Sequence, residues 1–311
     1  MSSLSGKTCS GCRGLGAPGS SGDAGCESPP QGLQRLGAVP GCDPSKCNDI
    51  LLLRPHRSSA SKHVVFFHGD IQNFQEEMRL HSDAAPWSCW SLEWAARVLG
   101  RRFPDSDVWV VRASMMYLHK FSCYQHFVHC NMFGAPEHSG YVAGRGAFCH
   151  LRSLLSNAMQ RASPPLPLSP ADGADSPLPA DFSLTLVGFS KGCVVLNQLL
   201  YELPGARLDP PMSGFVRRIS DMFWLDGGHP GGSETWVTER EVLRELAQSG
   251  ISVHAHVTPY EVCDPMRAWV GREHEAFVKT LEEYGACPSK KLHFEDEPAS
   301  IENHFRVIQE F

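Results

Sequence analysis

The sequence predicts an α/β fold, a three-layer sandwich in which helices cover both faces of a mainly parallel central sheet. From residue 62 onward, short apolar segments alternate with longer segments of helical periodicity. One apolar segment, residues 183–187, runs directly into a Gly-x-Ser-x-Gly turn. Of the 311 residues, 42% are hydrophobic and 20% are charged, which is enough to bury one large core or two small ones.

Short apolar runs predict the strands, and apolar residues at helical spacing predict the helices. The predicted strands are residues 63–67, 107–111, 183–187, 222–225, 252–257 and 291–294. The predicted helices are residues 91–102, 148–160, 191–202, 239–248, 272–284 and 300–309. Because strands and helices alternate, the strands are expected to lie parallel within one domain that spans residues 48–311.

Two segments lack this patterning. Residues 1–47 are rich in Gly, Ser, Pro and Cys, so they are predicted to form a disordered leader. The first 22 residues contain Lys7, Arg13 and no acidic residue, as in a mitochondrial transit peptide, although their glycines disfavour the amphipathic helix of such peptides. A stretch at about 162–181 contains six prolines and is predicted to be a disordered insertion.

Charge and hydropathy argue against nucleic acid as a partner and against a membrane span. The formal net charge is -6, so no broad basic surface for nucleic acid is expected. No stretch approaches the eighteen consecutive apolar residues of a transmembrane helix, so no membrane span is expected.

The strongest functional signal is the pentapeptide from Gly188 to Gly192, with Ser190 at its centre. The motif alone is weak, and an ordinary strand-to-helix turn with an idle serine is the alternative. The apolar strand before it and the helical periodicity after it favour a nucleophile elbow, in which a strained turn lifts the serine hydroxyl above the sheet. The sequence therefore predicts an α/β-hydrolase-like fold with Ser190 as the nucleophile.

A serine nucleophile needs a histidine base and an acid that orients it, and α/β hydrolases carry them in the order Ser, acid, His. His304 follows the last predicted strand and is the candidate base, although a surface histidine is the alternative. Asp264, in the loop after residues 252–257, is the preferred acid, although it precedes Pro265 and could instead cap a turn. Asp226, directly after residues 222–225, is the alternative acid.

An oxyanion hole requires two backbone N–H groups that point at the developing negative charge. Lys191 follows the nucleophile and is expected to supply the first. The loop after residues 63–67 contains Gly69, which permits close approach, so Asp70 or Ile71 is expected to supply the second.

The glycine-rich segment after Asp226 is expected to shape the substrate pocket, with Gly228 and His229 in contact with substrate. No metal or cofactor is expected. His126 and His129 would share a helix face, as zinc ligands can, but no third ligand stands at a fixed spacing. Two cysteine pairs with zinc-like spacing lie in the leader, where no strand or helix is indicated: Cys9, Cys12, Cys42 and Cys47.

Long runs of the chain are distinctive: GFSKGCVVLNQLL at 188–200, WLDGGH at 224–229, HVTPY at 256–260 and SIENHFRV at 300–307. These runs, with residues 119–124 and 131–138, resemble the chromosome 2 open reading frame 69 protein family across residues 48–311. The resemblance implies a mitochondrial matrix protein with an α/β-hydrolase-like fold, linked to respiratory-chain function. If the leader does not act in targeting, the cytosol is the alternative location.

Two functions are consistent with these observations. The first is a serine hydrolase that acts on an ester or thioester of a small acyl substrate through Ser190, His304 and an aspartate. The second is a catalytically inactive α/β-hydrolase-fold protein that binds a mitochondrial protein partner, because a fold does not guarantee its chemistry.

Overall fold

A computed structural model describes residues 32–55, 61–163 and 182–311 of the chain. Its strands are β1 (Leu33–Pro40), β2 (Cys47–Leu53), β3 (Lys62–Phe67), β4 (Asp107–Val111), β5 (Met115–Tyr117), β6 (Phe121–Cys123), β7 (His129–Cys130), β8 (Pro136–Glu137), β9 (Ser183–Phe189), β10 (Ile219–Leu225), β11 (Ser252–Val257) and β12 (Ser289–Leu292). Its α-helices are α1 (Gln75–Arg79), α2 (Leu92–Arg102), α3 (Ala147–Ala162), α4 (Cys193–Leu208), α5 (Pro210–Val216), α6 (Arg240–Ala247), α7 (Pro259–Val262), α8 (Trp269–Glu283) and α9 (Ile301–Glu310).

The central sheet contains eight of the described strands, in the order β1-β2-β4-β3-β9-β10-β11-β12. The first two pairings along this order, β1 with β2 and β2 with β4, are antiparallel. All the others are parallel, so the carboxyl ends of β3, β9, β10 and β11 lie at one edge of the sheet. The predicted fold class, a mainly parallel α/β sandwich of the α/β-hydrolase type, is therefore confirmed.

Helices pack on both faces of this sheet and bury it. One face carries α2 and α9, whose apolar residues form a core with alternate residues of β3 and β4. The other face carries α3, α4, α5, α6 and α8. The central strand β3 is buried on both sides, which explains why Val64 to Phe67 form a continuous apolar run rather than an alternating one.

The six predicted strands and six predicted helices are all present, with ends that shift by a few residues. The predicted leader, however, extends too far, because its residues 33–40 form β1. This edge strand buries only Leu36 and Val39, and a register shift lies between them, so its sequence has no regular alternation. Residues 1–31 and 164–181 lie outside the described residues, so the leader before residue 32 and most of the predicted insertion remain predictions.

Two small hairpins between β4 and α3 were not predicted. One pairs β5 with β6 and the other pairs β7 with β8. Their strands have only two or three residues each, too few to show a periodicity. Within the described part of the chain, no helix is both long enough and apolar enough to cross a membrane.

Candidate active site

Ser190 lies at the carboxyl end of β9, at the start of a short 3-10 helix, Ser190–Gly192, that leads into α4. Its φ of 51° is in the left-handed region, which non-glycine residues seldom adopt. The flanking glycines permit this sharp turn. A Cβ on Gly188 would lie 2.6 Å from Leu196 Cδ1, and one on Gly192 would lie 2.0 Å from the carbonyl oxygen of Phe67. The turn therefore has the geometry of a nucleophile elbow.

The imidazole of His304 is held by Asp226. His304 lies in the first turn of α9, and its Nδ1 is 2.6 Å from Oδ2 of Asp226, which directly follows β10 and is fully buried. Thr258 donates two further hydrogen bonds to the same carboxylate, from its amide at 2.7 Å and from its hydroxyl at 2.6 Å. Because a carboxylate accepts hydrogen bonds only, Nδ1 carries the proton and Nε2 is the basic nitrogen.

Asp264, the preferred acid, does not contact His304, so that prediction is wrong. Its carboxylate caps the 3-10 helix Pro265–Arg267 through the amide of Met266 at 2.9 Å and binds Nε of Arg267 at 2.8 Å. The hydrogen bond from Arg267 lowers the pKa of Asp264 below its ordinary value. The physical reason is that β11 is followed at once by α7, which carries the chain away from the sheet edge before Asp264 is reached.

The structure does not join Ser190 to His304 by a hydrogen bond. Neither the Ser190 hydroxyl nor His304 Nε2 makes a hydrogen bond with another residue of the described ranges. The His304 ring lies between two aromatic rings, with its centroid 4.6 Å from that of Phe189 and 4.8 Å from that of Tyr260. Phe189 immediately precedes Ser190, so this packing brings the imidazole beside the elbow.

The loop after β3 supplies one backbone N–H to the same site. A Cβ on Gly69 would lie 2.7 Å from Cβ of Ser190, so only glycine allows this approach. The amide of Asp70 has no hydrogen-bond partner in the described part of the chain. The amide of Ile71 donates to the carbonyl of Lys120 at 2.6 Å, so its proposed part in the oxyanion hole is wrong.

Side chains hold the loop after β3 in place. Asp70 accepts hydrogen bonds from the amide and the hydroxyl of Ser122 on β6, both at 2.8 Å, and burial raises its pKa. Gln72 accepts from the Gly69 amide at 3.1 Å. The buried ring of His68 accepts from the Ala113 amide at 3.0 Å, and burial lowers the pKa of this ring to about 4. The loop is therefore fixed before any substrate arrives.

Lys191 contributes to the site through both its backbone and its side chain. Its amide lies in the first turn after Ser190, where helix N–H groups lack partners within the helix. Its buried ammonium donates to the carbonyl of Gly134 in the β7–β8 hairpin, and burial lowers its pKa. The side chain thereby attaches this hairpin to the elbow.

Gly228 and His229, the predicted substrate contacts, lie in the loop after β10, and both make hydrogen bonds within the protein. The Gly228 amide donates to the carbonyl of Ser190 at 3.3 Å. Both ring nitrogens of His229 bind the backbone of its own loop: Nδ1 accepts from the Gly231 amide at 3.0 Å, and Nε2 is 3.1 Å from the Glu234 carbonyl. His229 therefore shapes the loop, and its ring nitrogens are not directed to a substrate.

Two residues of the site were not predicted from the sequence. Thr258 caps α7 by accepting from the Tyr260 amide at 3.2 Å, and Thr-Pro at a helix start is a signal that could have identified it as a cap. Glu261 lies two residues after Pro259 and is 4% exposed. Burial raises its pKa to about 7. Nothing in the sequence indicated that it faces inward.

The structure offers no support for the zinc alternatives. Within the described ranges, no group of three or more His, Cys, Asp or Glu side chains could hold a metal ion. His126 lies in a turn and His129 in β7, so they do not share a helix face. Cys9 and Cys12 lie outside the described residues.

The sheet order and the elbow after β9 define an α/β-hydrolase-fold protein. The chain belongs to the C2orf69 family, whose profile matches residues 35–169 and 167–287. It is 63% identical to the mitochondrial protein C2orf69 homolog of Danio rerio over 295 residues, which cover 90% of this chain and 86% of that protein. It is 42% identical to the mitochondrial protein C2orf69 of Homo sapiens, with 94% of this chain and 91% of that protein covered.

Solved structures with a similar arrangement are much more distant. Carboxyl esterase 2 from Tuber melanosporum aligns with a TM-score of 0.43 at 12% identity, covering 89% of this chain and 85% of that chain. Poly(aspartic acid) hydrolase-1 from Sphingomonas sp. KT-1 aligns with a TM-score of 0.42 at 11% identity, covering 90% of this chain and 98% of that chain.

Proposed function

We propose that the chain is a serine hydrolase that cleaves an ester or thioester of an acyl substrate, with Ser190 as nucleophile, His304 as base and Asp226 as acid. The observation that carries the proposal is the 2.6 Å contact between His304 Nδ1 and the buried Asp226, next to a serine with a left-handed backbone. This pairing fixes the tautomer in which Nε2 can accept a proton from a serine hydroxyl.

The proposed reaction has two stages. Ser190 Oγ attacks the acyl carbonyl carbon, and its proton moves to His304 Nε2 while Asp226 stabilises the imidazolium. The amides of Lys191 and Asp70 bind the oxyanion. His304 then protonates the leaving alcohol or thiol. In the second stage a water molecule gives a proton to His304 and attacks the acyl-serine ester, which releases the acid and restores Ser190.

We also propose that the protein acts in the mitochondrial matrix and supports respiratory-chain function. Relatives of the chain are named mitochondrial proteins, which supports a mitochondrial location. The matrix location and the respiratory role are the further part of this proposal. Protease protection of isolated mitochondria tests the location: the protein should resist protease in mitoplasts and become sensitive only when the inner membrane is dissolved. Sensitivity in intact mitochondria would contradict it.

Labelling with a fluorophosphonate probe tests the proposed nucleophile. We expect the wild-type protein to form a covalent adduct on Ser190 and the Ser190→Ala variant to form none, because alanine has no hydroxyl to attack phosphorus. The measurement is intact-protein mass spectrometry, followed by peptide mapping of the adduct. Ser45→Ala is the matched control, since Ser45 lies far along the chain in the exposed turn after β1 and should leave labelling unchanged.

The same experiment tests the inactive alternative. If the folded wild-type protein, with native circular dichroism, is not labelled over a range of pH and probe concentrations, the hydrolase proposal fails. A protein that retains the fold only to bind a partner would then be the better account. Labelling that persists in Ser190→Ala would instead show that another residue is the nucleophile.

A further inference from the structure

Glu261 is a second buried carboxylate beside the Asp226–His304 pair. It lies in α7, directly after the carboxyl end of β11. Its carboxylate packs against Gly228, where an added Cβ would lie 2.7 Å from both carboxylate oxygens. The ring of its neighbour Tyr260 packs against the His304 ring at a tilt of 36°, with 4.8 Å between centroids. The side chain is therefore held inside the site rather than in solvent.

Arg267 is the cation that partners Glu261. Its Nη1 is 2.8 Å from Glu261 Oε2, and its Nε is 2.8 Å from Oδ2 of Asp264. One guanidinium thus binds two carboxylates, and the three groups carry one net negative charge when both carboxylates are ionised. Asp264 can be solvated because it lies at the surface, whereas Glu261 is buried. The other charged groups that act on Glu261 are Asp226, which disfavours its ionised form, and His304, which favours it when protonated.

We propose that Glu261 is a positioning residue whose carboxylate adds a second negative charge beside the Asp226–His304 pair and stabilises the imidazolium that forms when Ser190 is deprotonated. This inference rests on the proposed function of the same site. Asp226 orients the His304 ring through a hydrogen bond. The Glu261 charge acts on the ring through space, and burial strengthens this electrostatic interaction. The ion pair with Arg267 restrains the Glu261 carboxylate.

The protonation of Glu261 gives this arrangement a pH dependence. Burial raises the pKa of Glu261 from its ordinary value of 4.5 to about 7. The folded protein therefore keeps a proton that the unfolded chain releases between these values, and the free energy of unfolding decreases as the pH rises from about 4.5 to about 7. Above about pH 7 the carboxylate is ionised in the folded protein and can stabilise a cation.

The pH profile of Ser190 acylation by a 4-nitrophenyl ester distinguishes an electrostatic role from a structural one. In Glu261→Gln we expect the plateau rate to fall about tenfold and the acid limb to move to lower pH by about one unit, since the cationic ring loses a stabilising charge. Glu275→Gln, the same change at an exposed position of α8, should alter neither. Glu261→Asp keeps the charge and should recover most of the plateau rate. An unchanged acid limb in Glu261→Gln overturns the proposal.

A second measurement does not depend on catalysis. The proton in the His304–Asp226 hydrogen bond should give a low-field NMR signal, whose midpoint with pH reports the coupled group of Asp226, His304 and Glu261. We expect Glu261→Gln to move this midpoint to lower pH and Glu275→Gln to leave it in place; equal midpoints overturn the role of Glu261. If Ser190 is not labelled in the wild type, the proposed function fails, yet this titration still decides the electrostatic coupling.

A variant that fails to fold does not prevent the test. In the wild-type protein, the carboxyl carbon of Glu261 can be followed by ¹³C NMR as the pH is raised. A midpoint near 7 supports a buried, ionisable group that faces the site. A midpoint below about 5, close to that of a solvated glutamate, would contradict the placement on which the inference depends.

Discussion

Replacing Asp226 by Asn should lower the rate of Ser190 acylation by about 10³- to 10⁴-fold. Asp226 accepts the Nδ1 proton of His304 at 2.6 Å, which leaves Nε2 free to act as a base. An asparagine amide can present an N–H group to Nδ1 instead, and the ring then carries its proton on the wrong nitrogen. The charge that stabilises the imidazolium is lost at the same time. The measurement is the second-order rate of inactivation by a fluorophosphonate.

Asp264→Asn is the matched control for this experiment, since it makes the same chemical change in the acid that the sequence favoured. Asp264 is at the surface and binds Met266 and Arg267, so the rate should change by less than about threefold. Circular dichroism and urea unfolding should confirm that both variants are folded. If Asp264→Asn produced the larger loss, or if both variants lost activity equally, the assignment of Asp226 as the acid would be wrong.

The position of the acid shows how far sequence reasoning extends into this site. The order Ser, acid, His and the end-of-strand positions could be predicted from the alternation of apolar and helical segments. The choice between two aspartates could not, because it depends on the path of the chain after each strand. Asp226 comes immediately after β10 with a φ of 48°, which turns its side chain inward. After β11, the cap at Thr258 starts a helix, so Asp264 is carried outward.

The same distinction applies to the oxyanion hole and to the fold. Gly69 and the elbow glycines could be predicted, since close backbone approach requires glycine there. The exclusion of Ile71 depends on Lys120, which lies on a hairpin too short to leave a sequence pattern. The strands of the sheet centre were predicted because burial on both faces demands long apolar runs. The edge strand β1 was not predicted. Its pairing is irregular and its faces are exposed, so few of its positions require an apolar residue.

Gly192→Ala should destabilise the protein by at least about 3 kcal/mol, the second large effect that we expect. The added methyl group would lie 2.0 Å from the carbonyl oxygen of Phe67 and 2.9 Å from that of His68. The Phe67 oxygen cannot move away easily, because β3 is hydrogen-bonded to β4 on one side and to β9 on the other, and the His68 oxygen accepts from the Tyr124 hydroxyl. The clash can be relieved only by separating the elbow from β3, which also displaces Ser190 from Gly69.

Urea unfolding measured by circular dichroism gives the free energy of unfolding for the variant and for a glycine control. Gly140→Ala is suitable, since nothing lies within 4 Å of its added Cβ, and it should change stability by less than about 0.5 kcal/mol. A Gly192→Ala protein as stable as the wild type would mean that the elbow does not press on β3 as described. The predicted coupling also requires that any folded fraction of this variant react with fluorophosphonate more slowly than wild type, because strain at residue 192 shifts the serine away from the oxyanion amides.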